Sequence, residues 1–240
     1  MKPLLNLIQW NYLRQKNLFV LFTLAQVLLA ISLLFGYPLV IGDIDPTRAS
    51  YLTSGSVLIG IISIGCTISA PVVSNAKSEG HIDYLRALPV SRFAISLADL
   101  WMWLLAILPG VFFSILLGYL RFAIQPSLSI TALLVLLLIC LVMISLGFAI
   151  AYLFSPNTVT LMSQLILMIG LMFSPIMYPA SRLPDIINQI YHFLPFVPAA
   201  NLLRSSLYHH GSFSWIDSAI LLAWLLLTQV LILATLVRES

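Results

Sequence analysis

The residue types that most often carry out catalysis are few in this sequence and are not arranged for it. All four histidines fall in polar loops between apolar runs: His81, His192, His209 and His210. Ser54-Gly55-Ser56 lies inside an apolar run, but no run contains a histidine that could activate a hydroxyl. The pair His209-His210 is a weak metal signal that chance adjacency explains. We therefore predict no catalytic residue and no metal site.

Nucleotide and proton chemistry are not indicated either. The sequence contains neither the GxxxxGK[ST] loop that cradles ATP phosphates nor an HExxH motif. Asp99 lies near the start of an apolar run, but we expect no second buried acid to which it could relay a proton, so Asp99 should reach the interface or a partner. Cys66 and Cys140 form no CxxC motif and are interpreted as packing residues.

The most distinctive polar segment is a charged island over residues 75–92, NAKSEGHIDYLRALPVSR. Apolar residues recur within it at a spacing of three: Ile82, Leu85 and Leu88. This spacing predicts a short helix with one apolar face, bounded by Gly80 and Pro89. Such a helix, held between two apolar runs, would dock well into a groove on a partner protein. The alternative is an ordinary solvated loop with a chance periodicity.

The composition indicates that the apolar runs on either side of this island are membrane spans. The 240 residues are 61% hydrophobic and only 8% charged, whereas soluble domains carry about 25% charged residues. We predict one all-α polytopic membrane domain over residues 1–240. Six apolar runs have about the length that a span needs: Leu18 to Val40, Leu52 to Val73, Phe93 to Leu120, Ser129 to Phe154, Val159 to Tyr178 and Ile216 to Val237.

The lysines and arginines predict the orientation of these spans. With six spans, both termini and the charged island share one side of the membrane. That side carries more of the positive residues, including every lysine: Lys2, Arg14, Lys16, Lys77, Arg86, Arg92 and Arg238. The opposite side carries Arg48, Arg121, Arg182 and Arg204. The positive-inside rule then makes both termini and the island cytoplasmic. The net charge of +3 is too small to indicate a nucleic-acid partner.

The first 16 residues, MKPLLNLIQWNYLRQK, can form an amphipathic helix on the membrane surface. Leu4, Leu5, Ile8 and Tyr12 can share its apolar face, and Trp10 suits the headgroup level. A plain cytoplasmic tail is the alternative. We do not interpret this region as a cleavable signal, because the apolar run that follows is too long for a signal core.

Two spans carry residues that could line a substrate path. In the second span, small and polar residues share one helical face: Ser56, Gly60, Ser63, Thr67 and Ala70. Close helix packing is the simpler interpretation of that face. The fifth span contains Met168 and Met172, whose flexible side chains adapt to varied apolar shapes. Here too, ordinary core packing is the alternative.

The segment before the last span is broken by prolines and cannot cross the membrane as one helix. We predict two short amphipathic helices over Ile186 to Phe193 and Ala199 to Leu207, within an external hairpin over residues 179–208. Irregular backbone at membrane depth must be covered by protein or line a cavity. The hairpin would therefore be re-entrant or interfacial, either as a structured outer cap or as a passive loop. Its marker residues are Pro179, Pro184, Pro195 and Arg204.

Two motifs give the chain its resemblance to the ABC-2 type permease family. Glu79-Gly80, Leu85 and Pro89-Val90-Ser91-Arg92 are similar to the family's Glu-Gly…Leu…Pro-x-Ser-Arg signature in the first cytoplasmic loop. Tyr178-Pro179, Leu183-Pro184 and Leu194-Pro195 with Arg204 are similar to its segment before the sixth span. The chain departs from the family at His81, where Thr is common, and at Ala98-Asp99, where a Gly-Lys pair is frequent.

The resemblance implies the membrane subunit of a type-2 ABC exporter in a bacterial inner membrane. Two permeases, identical or related, would pair around a central route, and each would receive one separate ATPase subunit. ATP and Mg²⁺ would be bound by that partner and no cofactor by this chain, which would otherwise contact only membrane lipid. The loop over 75–92 would hold the coupling helix. Its implied contact residues are Glu79, Gly80, Ile82, Leu85, Arg86, Leu88, Pro89 and Arg92.

The implied cargo is an amphiphilic or lipid-like compound such as a drug, an antibiotic or a lipid. Export of a lipid-linked polysaccharide is the alternative within transport, because such permeases share the surface helix and the proline-broken segment. The Glu-Gly loop favours the first. A membrane-embedded enzyme or a non-transporting scaffold is the alternative from another class, and the lack of a catalytic constellation argues against the enzyme.

Overall fold

The computed structural model describes residues 18–42, 44–80, 92–172, 175–179 and 184–238. Every regular element in these ranges is a helix, which confirms the predicted all-α class. The predicted surface helix over residues 1–16 lies outside the described residues, as does the predicted coupling helix from Ile82 to Leu88.

Five helices in the described ranges are long and apolar enough to cross a membrane. They are α1 (Leu18–Val40), α2 (Pro46–Ser78), α3 (Arg92–Phe122), α4 (Ile130–Leu153) and α8 (Trp215–Arg238). Between α4 and α8 lie α5 (Pro156–Met172) and the two short helices α6 (Asp185–Phe193) and α7 (Phe196–Tyr208).

Five of the six predicted spans correspond to the long helices, and the remaining one corresponds to the shorter α5. With 17 residues, α5 is about 26 Å long, slightly less than the roughly 30 Å hydrocarbon core. The predicted span continued to Tyr178, but residues 175–178 form turns and bends. Pro175 stands at the start of this irregular stretch, a position where proline is common shortly after a helix end. A bilayer crossing by α5 stays a prediction.

Helix α2 is the centre of the fold. Its most apolar 18-residue window is 72% buried, against 22% for α1 and 17% for α8. It contacts α3, α4, α5 and α7. Its start is well defined, because Pro46 occupies the first turn and the Asp45 side chain accepts a 2.9 Å hydrogen bond from the Arg48 amide. Most of the core therefore forms around one helix.

The middle of α2 is a π-helical turn, Ser63–Ile68, that packs very closely against α4. A Cβ atom at Gly147 of α4 would lie 2.2 Å from the Gly65 carbonyl oxygen and 2.7 Å from the Ser69 hydroxyl. Cys66 donates a 3.1 Å hydrogen bond to the Met143 carbonyl across the same contact. Only glycine at position 147 permits this approach, as is common where membrane helices touch.

We expect Gly147→Val to destabilise the fold by at least about 1–3 kcal/mol, since the new side chain meets backbone that cannot move aside. The matched control is Gly170→Val in α5, because nothing lies within 4 Å of a Cβ atom there. Thermal unfolding of the detergent-solubilised proteins measures the difference. Equal melting temperatures for the two variants would contradict the close contact.

The proline-broken segment forms two helices of different character. In α6 one face exposes large apolar residues, including Ile186, Ile190 and Phe193, to the surroundings of the chain. In contrast, α7 is buried along nearly its whole length. Trp224 of α8 donates a 2.7 Å hydrogen bond to the Phe193 carbonyl at the end of α6. The hairpin thus combines one helix with an exposed apolar face and one helix that is packed into the bundle.

Candidate functional site

The guanidinium group of Arg204 joins three separate segments of the chain. Arg204 lies on α7 and is only 5% exposed. Its Nη2 donates to the Ile176 carbonyl at 3.0 Å, and its Nε donates to the Ser54 hydroxyl of α2 at 3.4 Å. Its Cζ lies 3.7 Å from the centre of the Tyr51 ring, a cation–π distance. One side chain therefore attaches α7 to α2 and to the turn after α5.

A second line of hydrogen bonds continues from Arg204 to α8. Arg204 Nη1 donates to Asn201 Oδ1 at 3.3 Å, and Asn201 Nδ2 donates to Asp217 Oδ2 at 3.3 Å. The Asp217 amide donates to the Ser214 hydroxyl at 3.2 Å, which caps α8. We call this set of residues the Arg204 cluster: Tyr51, Ser54, Asn201, Arg204 and Asp217.

The Arg204 cluster holds a desolvated positive charge. Burial lowers the pKa of Arg204 to about 10, and Tyr51 acts in the opposite direction. The group therefore stays protonated at neutral pH, although burial of a charge is costly without compensating contacts. The three donated hydrogen bonds and the Tyr51 ring supply that compensation.

A cavity of about 430 Å³ lies against the Arg204 cluster. Four residues of the loop before α8 line one part of it, and residues of α2, α7 and α8 line the rest: His210, Gly211, Ser212 and Ser214 in the loop, and Thr47, Tyr51, Asn201, Arg204 and Asp217 in the helices. A smaller cavity of about 80 Å³ lies nearby, where Pro179 is one of the lining residues.

The other two predicted hairpin prolines, Pro184 and Pro195, stand directly before α6 and α7, where proline is compatible with the start of a helix.

The Arg204 cluster and the charged island are attached to opposite ends of α2. Tyr51 and Ser78 are about 40 Å apart along a continuous helix. After Ser78 the chain turns at Glu79, which is exposed, and at Gly80, whose φ of +74° is a conformation that favours glycine. The turn at Glu79 and Gly80 therefore ends α2, and the first residues of the island, 75–78, belong to the end of this helix. The rest of the island follows directly on the end of the central helix.

Lys77 connects the same end of α2 to α4. Its ammonium donates a 3.1 Å hydrogen bond to the Tyr152 carbonyl and lies 5.7 Å from the centre of the Tyr152 ring. Tyr152 belongs to the last turn of α4, where carbonyl groups lack helical partners and a cation is favourable. Since Lys77 belongs to the island, the start of the island is attached to α4 as well as to α2.

We expect Lys77→Met to loosen the last turn of α4, since it removes a charged cap worth roughly 1 kcal/mol. Amide hydrogen exchange near Tyr152 and Leu153 should become faster. Lys77→Arg is the control, because it keeps a charged donor at this position. Unchanged exchange in Lys77→Met would show that the contact does not stabilise this helix end.

The four predicted path residues of α2 all pack within the subunit. Ser56 is fully buried, and Gly60 lies beside Ser114 of α3. Ser63 is 9% exposed, and the Thr67 hydroxyl donates a 3.4 Å hydrogen bond to the Ser163 carbonyl of α5. This burial agrees with the helix-packing interpretation of the stripe. A substrate path along the stripe stays a prediction.

The remaining predicted path and coupling residues belong to α5 and to the charged island. Met168 is 56% exposed on α5, whereas Met172 ends that helix and its side chain is outside the described set. Glu79 and Gly80 form the turn after α2, and Arg92 begins α3. The other predicted coupling residues lie outside the described residues: Ile82, Leu85, Arg86, Leu88 and Pro89.

Sequence reasoning missed most of the Arg204 cluster. It placed Arg204 in the external hairpin but assigned no role to Tyr51, Asn201 or Asp217. Two features of the sequence could have indicated the cluster. Asp217 is the only acid of its apolar run and lies at the start of that run, and Arg204 is the only charged residue of the predicted helix Ala199 to Leu207. Lys77 was counted for orientation only, because nothing in the local pattern indicates a contact with Tyr152.

The comparison with protein families identifies the class of protein that this arrangement belongs to. The chain matches the ABC-2 type transporter family over residues 4–208. A search of the curated proteins found no match. Since the matched region covers most of the 240 residues, the chain belongs to the ABC-2 type transporter family. It is an integral membrane protein and a transporter membrane subunit, and subunits of this family typically work with a separate ABC ATPase.

Proposed function

We propose that this chain is the permease subunit of an exporter for an amphiphilic or lipid-like compound. It pairs with a second permease, identical or related, and receives power from two ATPase subunits that bind ATP and Mg²⁺. The observation that carries the proposal is the course of α2. This helix is the most buried span and runs from the charged island to the Arg204 cluster, in a chain without a nucleotide-binding motif of its own.

The proposed mechanism follows from that connection. ATP binding draws the two ATPase subunits together and displaces the islands docked on them. Because α2 and α4 are both attached to the island end, through Gly80 and Lys77, the displacement shifts the balance between two packings of the bundle. At the other end, α2 carries Tyr51 and Ser54, so the same shift changes their contact with Arg204 and with the hairpin. The hairpin thereby opens or closes the outer end of the central transport route.

The proposal also fixes an orientation, with both termini and the island in the cytoplasm of a bacterial cell. We expect Ser78→Cys to react with a membrane-impermeant maleimide only in inverted vesicles, and Ser212→Cys only in intact cells. Both serines are exposed, and the two native cysteines, Cys66 and Cys140, are buried and should give little background. Labelling of Ser78→Cys from the outside would overturn the orientation.

Transport itself is tested in inverted vesicles that contain this chain together with its partner ABC ATPase. Uptake of fluorescent phospholipids and amphiphilic dyes should require ATP, the ATPase and an intact island. Export of lipid-linked polysaccharide is the alternative, and accumulation of such a lipid in cells lacking this chain would favour it. Uptake that persists without the ATPase would overturn the proposal and favour a different class of transporter.

A further inference from the structure

The cavity beside the Arg204 cluster contains two opposite charges that do not neutralise each other directly. Arg204 and Asp217 are 5% and 3% exposed, and both line the cavity. The Asn201 amide stands between them, accepting from Arg204 and donating to Asp217. The contacts of Arg204 compensate its charge, whereas the Asp217 carboxylate accepts one hydrogen bond among the described residues, from Asn201. A buried charge is costly unless further partners are present.

Both charged groups keep unused hydrogen-bonding capacity. A guanidinium carries five N–H donors, of which Arg204 uses three, toward Ile176, Ser54 and Asn201. Asp217 Oδ1 is buried and has no hydrogen-bond partner among the described residues. Buried polar groups in proteins are nearly always paired, so an unpaired carboxylate oxygen beside a cavity indicates a missing donor.

We propose that this cavity binds a zwitterionic group, with a ligand ammonium against Asp217 and a ligand phosphate or carboxylate against Arg204. A zwitterion satisfies both residues without adding net charge to the site. A simple anion would leave Asp217 unpaired, and a simple cation would lie near Arg204 without neutralising it. The volume of about 430 Å³ accommodates a headgroup of this size.

The site lies at the end of α2 away from the charged island, and the residues that line it belong to this chain. The inference therefore goes beyond the proposed function and can be tested on this chain alone. Two sources could supply the same chemistry: the headgroup of a zwitterionic lipid, and a soluble zwitterion that reaches the cavity from water. The experiment distinguishes them by comparing the headgroup with and without acyl chains.

The test measures binding to the purified full-length chain in nanodiscs of anionic phosphatidylglycerol. Glycerophosphoethanolamine is the soluble probe, and its N-acetylated form, which lacks the positive charge, is the matched control ligand. We expect acetylation to weaken binding roughly tenfold or more, since a hydrogen bond to a charged group is lost. Phosphatidylethanolamine added to the nanodiscs should compete with the probe if the lipid is the natural source.

Asp217→Asn provides the protein-side test, because it removes the charge and keeps the shape. It should lower affinity for glycerophosphoethanolamine roughly tenfold and leave that for the acetylated probe unchanged. Asp45→Asn is the control, since that aspartate is exposed at the same end of α2. Absence of probe and lipid binding to the unmodified chain, or equal affinity for both probes, would overturn the proposal even if Asp217→Asn fails to fold.

Discussion

Replacement of Arg204 by leucine should be among the most damaging single substitutions in this chain, with an expected loss of about 3–5 kcal/mol. The change removes three hydrogen bonds and the cation–π contact with Tyr51. It also leaves the Ile176 carbonyl without its donor and removes the Arg204 end of the hydrogen-bond line that runs through Asn201 to Asp217. Since these contacts hold α7 to α2, the hairpin should detach before the long helices separate.

Thermal unfolding and limited proteolysis of the detergent-solubilised chain measure this effect. The Arg204→Leu variant should melt at a lower temperature and be cleaved first between α5 and α7. Arg48→Leu is the matched control, because Arg48 lies at the same end of the bundle with its side chain 46% exposed. Arg204→Lys should give an intermediate loss, since an ammonium lacks the planar fork that serves three acceptors together. Equal melting of the two leucine variants would contradict the structural role of Arg204.

Replacement of Leu85 by aspartate should abolish the coupling of ATP hydrolysis to transport while the spans remain folded. The pattern Ile82, Leu85 and Leu88 predicts the apolar face that docks on the ATPase. A carboxylate in the middle of that face would have to be desolvated on docking, which is costly without a partner. We expect the transport-linked stimulation of ATPase activity to fall at least roughly tenfold.

A matched control for this prediction lies two residues away. Ala87 falls on the opposite face of the predicted helix, so Ala87→Asp adds the same charge without burying it. That variant should retain most of its stimulation, and both variants should melt like the unmodified chain. Replacement of Glu79, which is exposed at the end of α2, should also reduce stimulation. Full stimulation in both Leu85→Asp and the Glu79 variant would rule out docking through this loop.

The sequence predicted the broad architecture well because membrane spans follow from composition and length. The first predicted span, Leu18 to Val40, coincides with a helix long and apolar enough to cross a membrane, and the two short helices of the proline-broken segment were predicted within a few residues of α6 and α7. The family resemblance is confirmed by the match over residues 4–208. Prolines, polar residues and long apolar runs determine the structure of the segments in which they occur. Their effects can therefore be predicted from a single sequence.

The candidate site was harder to predict because its contacts are distant in sequence. Arg204 meets Ser54 150 positions away, and Lys77 meets Tyr152 75 positions away. Periodicity within one helix does not report which helix lies beside it. The stripe on α2 illustrates the same limit, since its spacing was evident but only the fold reveals that α3, α4 and α5 surround the helix.

The central claim is that this subunit takes its power through the loop between α2 and α3. The most direct measurement is co-purification of an ABC ATPase subunit from the native cells with the tagged full-length chain and with a variant lacking residues 79–88. The account predicts that the unmodified chain retains the ATPase and that the deletion loses it, while both chains give the same melting temperature. Retention of the ATPase by the folded deletion variant would contradict it.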